Sequence, residues 1–338
     1  MSRSFWVLAV FPAAAWCLLG LFAEGPRALP QYAMLYLLLA LPWSALAVAA
    51  KAFRDLAFGR GDATWSAVLA RAAKFHGALM LALLSSCTWF VAYNNEIAPA
   101  RLPVVMLSDG DRTLTFRSMA HVASPAFFTG VVADARAARA SGAVLLYEGV
   151  RPGTASGAER LARMLGMRLE PDTYASMAKF AGLASQLDYP LPTQGTGAVN
   201  ADVSVDQMVA AYDAAASGAT APRPLPPEVP DFSRFVPLLE AIPERSRRFV
   251  AYVSRAALNW TVRNEEGFRD LLRAQDPAMA AALLDLRDRE VARAVLALPG
   301  KDVYAVYGLM HFQGVYDELR KADPRWNIKA VGYDRPVR

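Results

Sequence analysis

The sequence predicts a mixed α/β sheet flanked by helices and preceded by three transmembrane helices. Three windows in roughly the first hundred residues carry no charged side chain, and each is long enough to cross a bilayer. From Leu102 onward, short β-prone runs alternate with helical stretches, a pattern typical of a sheet covered by helices. We therefore expect a membrane segment at 1–96 and an extracytoplasmic α/β domain at 97–338.

The uncharged windows are 5–22, 31–50 and 77–93. Each is about 17–20 residues long, which matches a hydrocarbon core of roughly 30 Å at about 1.5 Å per residue. A cleaved signal peptide with Arg3 as its basic end is the alternative for the first window. We favour a membrane helix there, because no convincing small-x-small cleavage site precedes Glu24.

The charges between the windows predict an orientation. The loop after the second window carries Asp55 and Asp62 against a larger basic set: Lys51, Arg54, Arg60, Arg71 and Lys74. Because Lys and Arg are retained on the cytoplasmic side, the amino terminus should lie inside and the domain after Tyr93 outside. The predicted location is the cytoplasmic (inner) membrane, with the bilayer as a partner and the domain periplasmic.

Cysteine usage and net charge argue against a disulfide-stabilised domain and against a nucleic-acid-binding protein. Cys17 and Cys87 both fall in the uncharged windows, so the predicted domain at 97–338 has no disulfide and folds on its core alone. The formal net charge of +5 is partly explained by the basic loop. No basic stretch interleaved with aromatic residues is present, so we expect no nucleic-acid partner. The oligomeric state is not indicated.

The domain is predicted to begin with a hairpin and a β-α-β unit. The runs 103–108 and 113–119 are β-prone and are joined by Asp109-Gly110-Asp111, a strong hairpin signal. Ser124-Pro125 is an N-cap followed by proline at the first helical position, and the helix should end near Gly142. The next run, 143–148, is a buried strand that ends in Glu148, so part of the sheet should be parallel.

The rest of the domain is predicted to be mainly helical, with two more strands. We expect helices within 156–216 that are interrupted by a Gly- and Pro-rich segment, then a stiff Pro-rich connector at 222–230. The elements predicted after it are helices at 246–274 and 277–298, a strand at 302–307, a helix at 313–322 and a strand at 326–332.

The chain has three histidines, and two of them share one context. His121 ends Ser118-Met-Ala-His121 after one predicted strand, and His311 ends Gly308-Leu-Met-His311 after another. A helix follows each histidine. The third, His76, lies at the predicted cytoplasmic end of a membrane window, where a structural role is expected.

These two histidines and Glu148 follow three predicted strands. Ligands of open α/β sheets gather beyond the carboxyl ends of strands, so the three side chains could share one site. Two imidazoles and a carboxylate can hold a divalent metal and a water. Taken singly, each histidine is more often a structural residue than a ligand. Whether Glu148 is a metal ligand or a general base stays open.

Two stretches resemble a known family. Phe116-Arg-Ser-Met-Ala-His-Val-Ala-Ser-Pro-Ala-Phe-Phe and the following Ala143-Val-Leu-Leu-Tyr-Glu-Gly are similar to the opening of the TraB/GumN/PrgY and TIKI group. Leu286-Arg-Asp-Arg-Glu through Val303-Tyr-Ala-Val-Tyr-Gly-Leu-Met-His-Phe-Gln-Gly-Val resembles that group's arginine-bearing helix, strand and second Gly-x-x-His motif. The resemblance spans roughly 102–335.

The resemblance implies a site and a chemistry. Members of the TIKI type are membrane-tethered, metal-dependent proteases, and erythromycin-esterase-like relatives use the equivalent histidine without an obligatory metal. Carried over, it assigns His121, Glu148 and His311 to the active site and to a divalent metal, which would be manganese, cobalt or zinc. Gly308 matches the glycine of the second motif, whereas Ser118 stands where the first motif has glycine.

Ser118 and Gly308 are secondary candidates, and four further residues join them. Asn200 and Asp202 resemble a polar segment of some relatives and would suit an additional oxygen ligand or a partner of a ligand, although an ordinary helix-capping loop is the simpler interpretation. Arg287 and Arg289 could orient Glu148 or a substrate carboxylate, while a solvated helix face is the competing interpretation.

The leading functional hypothesis is an extracytoplasmic metal-dependent hydrolase of the peptidase type, in which the metal activates water. The chain contains neither H-E-x-x-H nor G-x-S-x-G, so two better-known hydrolase layouts are absent. Two alternatives stay open. One is a metal-free esterase-like hydrolase with His121 as general base, and the other is a non-enzymatic membrane-tethered module that binds a peptide or another ligand.

Overall fold

A computed structural model describes residues 87–166, 171–217 and 236–337. The chain divides into two compact units, Met1–Ile97 with Glu240–Val253, and Ala98–Leu239 with Ser254–Arg338. In the first unit, a helix at 87–92 runs into a π-helix at Tyr93–Ile97. There, Asn95 donates a hydrogen bond to the carbonyl of Tyr252 and Tyr252 donates one to Glu96.

The membrane part of the predicted fold class is wrong for the described residues: none of their helices is long and apolar enough to cross a membrane. The windows 5–22 and 31–50 lie outside the described residues, and so does 77–86 of the third window. The remainder of that window, 87–93, is helical, but the α-helix gives way to the π-helix from Tyr93 onward, where Asn94, Asn95 and Glu96 follow.

The second unit contains a mixed six-stranded sheet. Its strands are β1 (Leu102–Ser108), β2 (Thr113–Met119), β4 (Val144–Tyr147), β6 (Ala198–Asn200), β7 (Val303–Gly308) and β8 (Asn327–Asp334), in the order β6-β4-β7-β2-β1-β8. β6, β4, β7 and β2 pair in parallel, and β1 is antiparallel to both of its neighbours. Two short strands, β3 (Val122–Ala123) and β5 (Ala184–Ser185), pair separately.

The helices follow in chain order as α1 (Pro125–Ala140), α2 (Ala155–Leu165), α3 (Pro171–Ala181), α4 (Val205–Ala216), α5 (Val236–Ala241), α6 (Glu244–Arg263), α7 (Glu265–Gln275), α8 (Pro277–Ala280), α9 (Leu286–Leu296) and α10 (Phe312–Ala322). A π-helix at Ala281–Asp285 joins α8 to α9. Single-turn 3₁₀ helices lie at Gln186–Asp188 and Leu309–His311.

The start of the second unit follows its local sequence signals. The Asp109 side chain accepts the backbone N–H groups of Asp111 and Arg112, which closes the turn between β1 and β2. Ser124 caps α1 by accepting the N–H of Phe127, and Pro125 is the first helical residue. From β2 through α1 the chain crosses to β4, which is not an immediate neighbour of β2. β7 lies between these two strands and pairs with both.

The core lies on both faces of the sheet because side chains alternate along each strand. On β7, Val303, Ala305 and Tyr307 join one apolar cluster, which also contains residues of α9 and α10. Tyr304 and Val306 join the other cluster, which contains the buried residues of α1. β7 is buried on both faces, and it therefore holds the residues that follow it in a fixed position.

Candidate active site

The three strands that precede the predicted site residues are direct neighbours. β4, β7 and β2 pair in parallel in that order, so their carboxyl ends share one edge of the sheet. Glu148 directly follows β4, His311 ends the 3₁₀ turn after β7, and His121 lies two residues beyond β2. His311 and Glu148 meet at Gly308, where an added Cβ would lie 3.4 Å from Cδ2 of His311 and 3.0 Å from Oε2 of Glu148. A protonated His121 would lower the pKa of Glu148, so that ring also lies within electrostatic range of the carboxylate.

Both oxygens of Glu148 are engaged. Oε1 accepts a hydrogen bond from Nη2 of Arg287 at 2.5 Å, and Oε2 accepts one from the backbone N–H of Gly308 at 2.5 Å. Burial by itself would raise the pKa of Glu148, but the positive charge of Arg287 lowers it to about 2. A Cβ on residue 308 would lie 3.0 Å from Oε2, so glycine allows this close approach. The carboxylate is therefore ionised at neutral pH.

Arg287 lies at the centre of the cluster and is only 8% exposed. Its Nε and Nη2 donate to the two oxygens of Asp202 at 2.9 and 2.8 Å, and its Nη1 donates to Nε2 of His311 at 3.1 Å. The guanidinium also lies over the ring of Tyr307. Burial would lower the pKa of Arg287, but Glu148 and Asp202 raise it well above the usual value.

The bonds of His311 define its tautomer. A guanidinium can only donate, so Nε2 of His311 accepts from Arg287. Nδ1 then carries the proton and donates to Oδ1 of Asp288 at 2.6 Å. Arg269 supports this arrangement, because it forms an ion pair with Asp288 and donates to the carbonyl of Met310. His311 is 3% exposed, and both of its ring nitrogens are bonded.

His121 is held at one nitrogen only. Its Nδ1 donates to Oε1 of Gln186 at 2.9 Å, and the backbone N–H of Gln186 donates to the His121 carbonyl. The ring stacks on Tyr174 with 4.4 Å between centroids. Because Nδ1 carries the proton, the lone pair is on Nε2. Within the described part of the chain, Nε2 has no hydrogen-bond partner, and the side chain is half-buried.

The secondary candidates divide into two groups. Asp202 is fully buried and bonded to Arg287, and the Gly149 and Val203 N–H groups hold its carboxylate. Asn200 positions this loop by donating to the Gly149 carbonyl and accepting the Asp202 N–H.

Arg289 and Ser118 do not contribute a bond to the cluster among the described residues. Arg289 is exposed. Ser118 is buried at 1% exposure, and its hydroxyl has no hydrogen-bond partner among the described residues.

The predicted metal set does not fit a metal ion in this arrangement. Among the described residues, no group of three or more His, Cys, Asp or Glu side chains could hold one. Arg287 also competes with a metal, because it occupies Nε2 of His311 and Oε1 of Glu148, two of the atoms a metal would need. A guanidinium cation therefore stands among the carboxylates where a metal was predicted.

Sequence reasoning missed several contributors to the site, among them Tyr174, Gln186, Arg269 and Asp288. Asp288 is adjacent to Arg287, and an Arg-Asp pair in a helix leading into a buried strand was the available signal. Tyr174 and Gln186 lie 53 and 65 positions from His121, and no local pattern connects them with it.

Comparison with known protein families, with curated proteins and with solved structures finds no match for this chain. The predicted resemblance to the TraB/GumN/PrgY and TIKI group is therefore not supported by a matching family.

Proposed function

We propose that this chain is a metal-independent hydrolase of ester or amide bonds in which His121 is the general base. The observation that carries the proposal is the position of Arg287. It engages His311 and Glu148 together, and the lone pair of His121 Nε2 is left open toward a water or substrate. A base of this kind typically contributes about 10²–10⁴-fold to a rate.

The surroundings of His121 suit this role. Gln186 accepts the Nδ1 proton, which fixes Nε2 as the atom that takes a proton from water. The water oxygen then attacks the carbonyl carbon, and the imidazolium later returns the proton to the leaving group. The charge interaction between His121 and Glu148 is reciprocal, so the ionised carboxylate stabilises the imidazolium as it forms.

Glu148 is a poor candidate for the base itself. With a pKa of about 2 it has little affinity for a proton at neutral pH, and both of its oxygens already accept hydrogen bonds. Its contribution is electrostatic. This assigns different roles to the predicted catalytic residues: His121 reacts, Glu148 stabilises charge, and His311 holds Arg287 in place.

The proposal belongs to the metal-free, esterase-like alternative that the sequence raised, and the family resemblance remains a prediction. A metal-dependent reaction would require Arg287 to leave His311 and Glu148, two of the partners that surround this buried cation. No step of the proposed reaction passes through a metal.

The test uses the full-length chain, a panel of 4-nitrophenyl esters and a set of short peptides, with a chelator or with added Mn²⁺, Co²⁺ or Zn²⁺. We expect hydrolysis that the chelator leaves unchanged and that His121→Ala lowers at least 100-fold. Gln313→Ala, an exposed polar change on α10, is the matched control and should retain full activity. Hydrolysis only with added metal, or full activity of His121→Ala, would contradict the proposal. Ligand binding without turnover would favour the binding module.

A further inference from the structure

Tyr174 is the aromatic neighbour of the proposed base. It lies on α3, and its ring is tilted by 34° against the His121 ring at the 4.4 Å centroid distance. The body of the side chain packs against an apolar cluster formed by Val122, Ala178 and Ala181. The ring is therefore held on its apolar side, and its position relative to His121 is fixed.

The hydroxyl of Tyr174 is uncommitted. It has no hydrogen-bond partner among the residues described in the structure, and the side chain is half-buried, so the hydroxyl is not sealed in the core. Burial raises the pKa of Tyr174, and the negative charge of Glu148 raises it further. The hydroxyl therefore stays protonated at neutral pH and can donate a hydrogen bond.

The cationic and backbone donors around Glu148 are already used. The guanidinium of Arg287 donates to Asp202, Glu148 and His311, and the backbone N–H of Gly308 donates to Glu148. A carbonyl substrate placed beside His121 develops negative charge on its oxygen in the transition state. Tyr174 supplies a donor whose ring lies directly against His121.

We propose that Tyr174 is a catalytic residue, whose hydroxyl donates a hydrogen bond to the oxyanion of the substrate. The proposal rests on the proposed function of His121. Water gives its proton to Nε2 of His121 as its oxygen bonds to the carbonyl carbon, and the C=O π pair moves to the oxygen that Tyr174 stabilises. The C=O bond then re-forms, the bond to the leaving group breaks, and the leaving group takes the proton from His121.

The test compares Tyr174→Phe with wild type, because phenylalanine keeps the ring that packs on His121 and loses only the hydroxyl. The matched control is Tyr189→Phe, which also removes only a hydroxyl and whose ring stacks on Phe128 and not on His121. With a 4-nitrophenyl ester we expect Tyr174→Phe to lower kcat about 10–1000-fold with KM nearly unchanged, as for the loss of one oxyanion donor. Tyr189→Phe should retain wild-type kinetics.

A thionoester of the same acid gives the decisive readout, since sulfur is a poor hydrogen-bond acceptor. Wild type should prefer the oxoester, and Tyr174→Phe should lose most of that preference. If Tyr174→Phe keeps wild-type kcat and wild-type preference while His121→Ala is inactive, the Tyr174 proposal fails and the proposed function stands.

Should wild type hydrolyse no ester or peptide, the proposed function fails and a binding readout still tests Tyr174. The probe is the 4-nitrophenyl monoester of methylphosphonate, a tetrahedral anion, with affinity measured by calorimetry. We expect Tyr174→Phe to bind it at least five-fold more weakly than wild type and Tyr189→Phe. Equal affinities, or no binding by wild type, would overturn the Tyr174 proposal.

Discussion

The turn that follows β2 and the turn that follows β7 have similar sequences and different surroundings. Both place a histidine three residues after a small residue, Ser118 or Gly308, beyond a parallel strand. After β7, His311 is 3% exposed and both of its nitrogens are bonded to charged partners. After β2, His121 is half-buried and is bonded at Nδ1 alone.

The difference comes from the elements that meet each turn. α9 brings Arg287 and Asp288 to the turn after β7 (the second turn), so the His311 imidazole is fixed between a donor and an acceptor. The first turn meets Gln186 and Tyr174, which orient the ring and leave Nε2 open. A local motif therefore places a histidine at the sheet edge, and its tertiary partners decide whether it is held or able to react.

The largest effect is expected from a substitution of Arg287, which holds the turn after β7. Arg287→Met leaves Glu148 and Asp202 buried without a cation, which should lower the free energy of unfolding by about 3–5 kcal/mol at pH 7. Urea denaturation measures it. Arg293→Met, an exposed arginine on the same helix paired with Glu290, should be neutral. Equal effects of the two changes would mean that Arg287 does not hold the site together.

Alanine substitutions of the two histidines should differ in their effects on stability and on activity. His311→Ala removes one buried hydrogen-bond partner from Arg287 and one from Asp288, and it should cost about 2–4 kcal/mol of unfolding free energy. His121→Ala should cost less than about 1 kcal/mol because the ring is half-buried, while abolishing hydrolysis. Thermal unfolding and ester hydrolysis on the same preparations give both numbers. A stability loss that is as large for His121 as for His311 would remove the distinction between the turns.

Gly314 should be needed for the second turn to form. A Cβ there would lie 1.7 Å from Oδ2 of Asp288, so Gly314→Ala should push Asp288 off His311 and cost about 1–3 kcal/mol. Gly267 on α7 is the matched helical control, with no heavy atom within 4 Å of the added Cβ. Gly267→Ala should stabilise the chain by about 0.5–1 kcal/mol. Urea denaturation of the pair would contradict this account if both changes stabilised the chain.

The smallest effect is expected at Glu265, the first residue of α7. Burial raises its pKa to about 7 against the opposing charge of Arg269, and its Oε2 has no hydrogen-bond partner among the described residues. Below the usual pKa of 4.5 the carboxyl is protonated in both states. Between 4.5 and 7 only the unfolded chain ionises it, so its contribution to stability falls as the pH rises.

Glu265→Gln should therefore raise the melting temperature more at pH 8 than at pH 5. Glu266→Gln, the exposed neighbour, is the control and should show no such dependence on pH. The same shift for Glu265→Gln at both pH values would show that the carboxyl does not titrate as described.

The sequence predicted the sheet edge better than the chemistry there. Strand-end placement of His121, Glu148 and His311 follows from hydrophobic runs and helix caps, which are local signals. Arg287 was a candidate partner of Glu148, but its competition with a metal for His311 could not be foreseen. That competition depends on how α9 packs across the edge, and only tertiary structure fixes it. The prediction of membrane spans depended on the length of the apolar windows alone. Among the described residues, no helix is long and apolar enough to cross a membrane.

Imidazole ¹⁵N NMR of the full-length chain tests most directly whether Arg287 holds His311 away from a metal. Signals are assigned with His121→Ala and His311→Ala, and spectra are compared before and after Zn²⁺ is added. We expect His311 to show the neutral form with the proton on Nδ1, and its Nε2 signal to remain unchanged with zinc. A proton on Nε2 of His311, or a zinc-induced shift of that nitrogen, would contradict the account and favour the metal site instead.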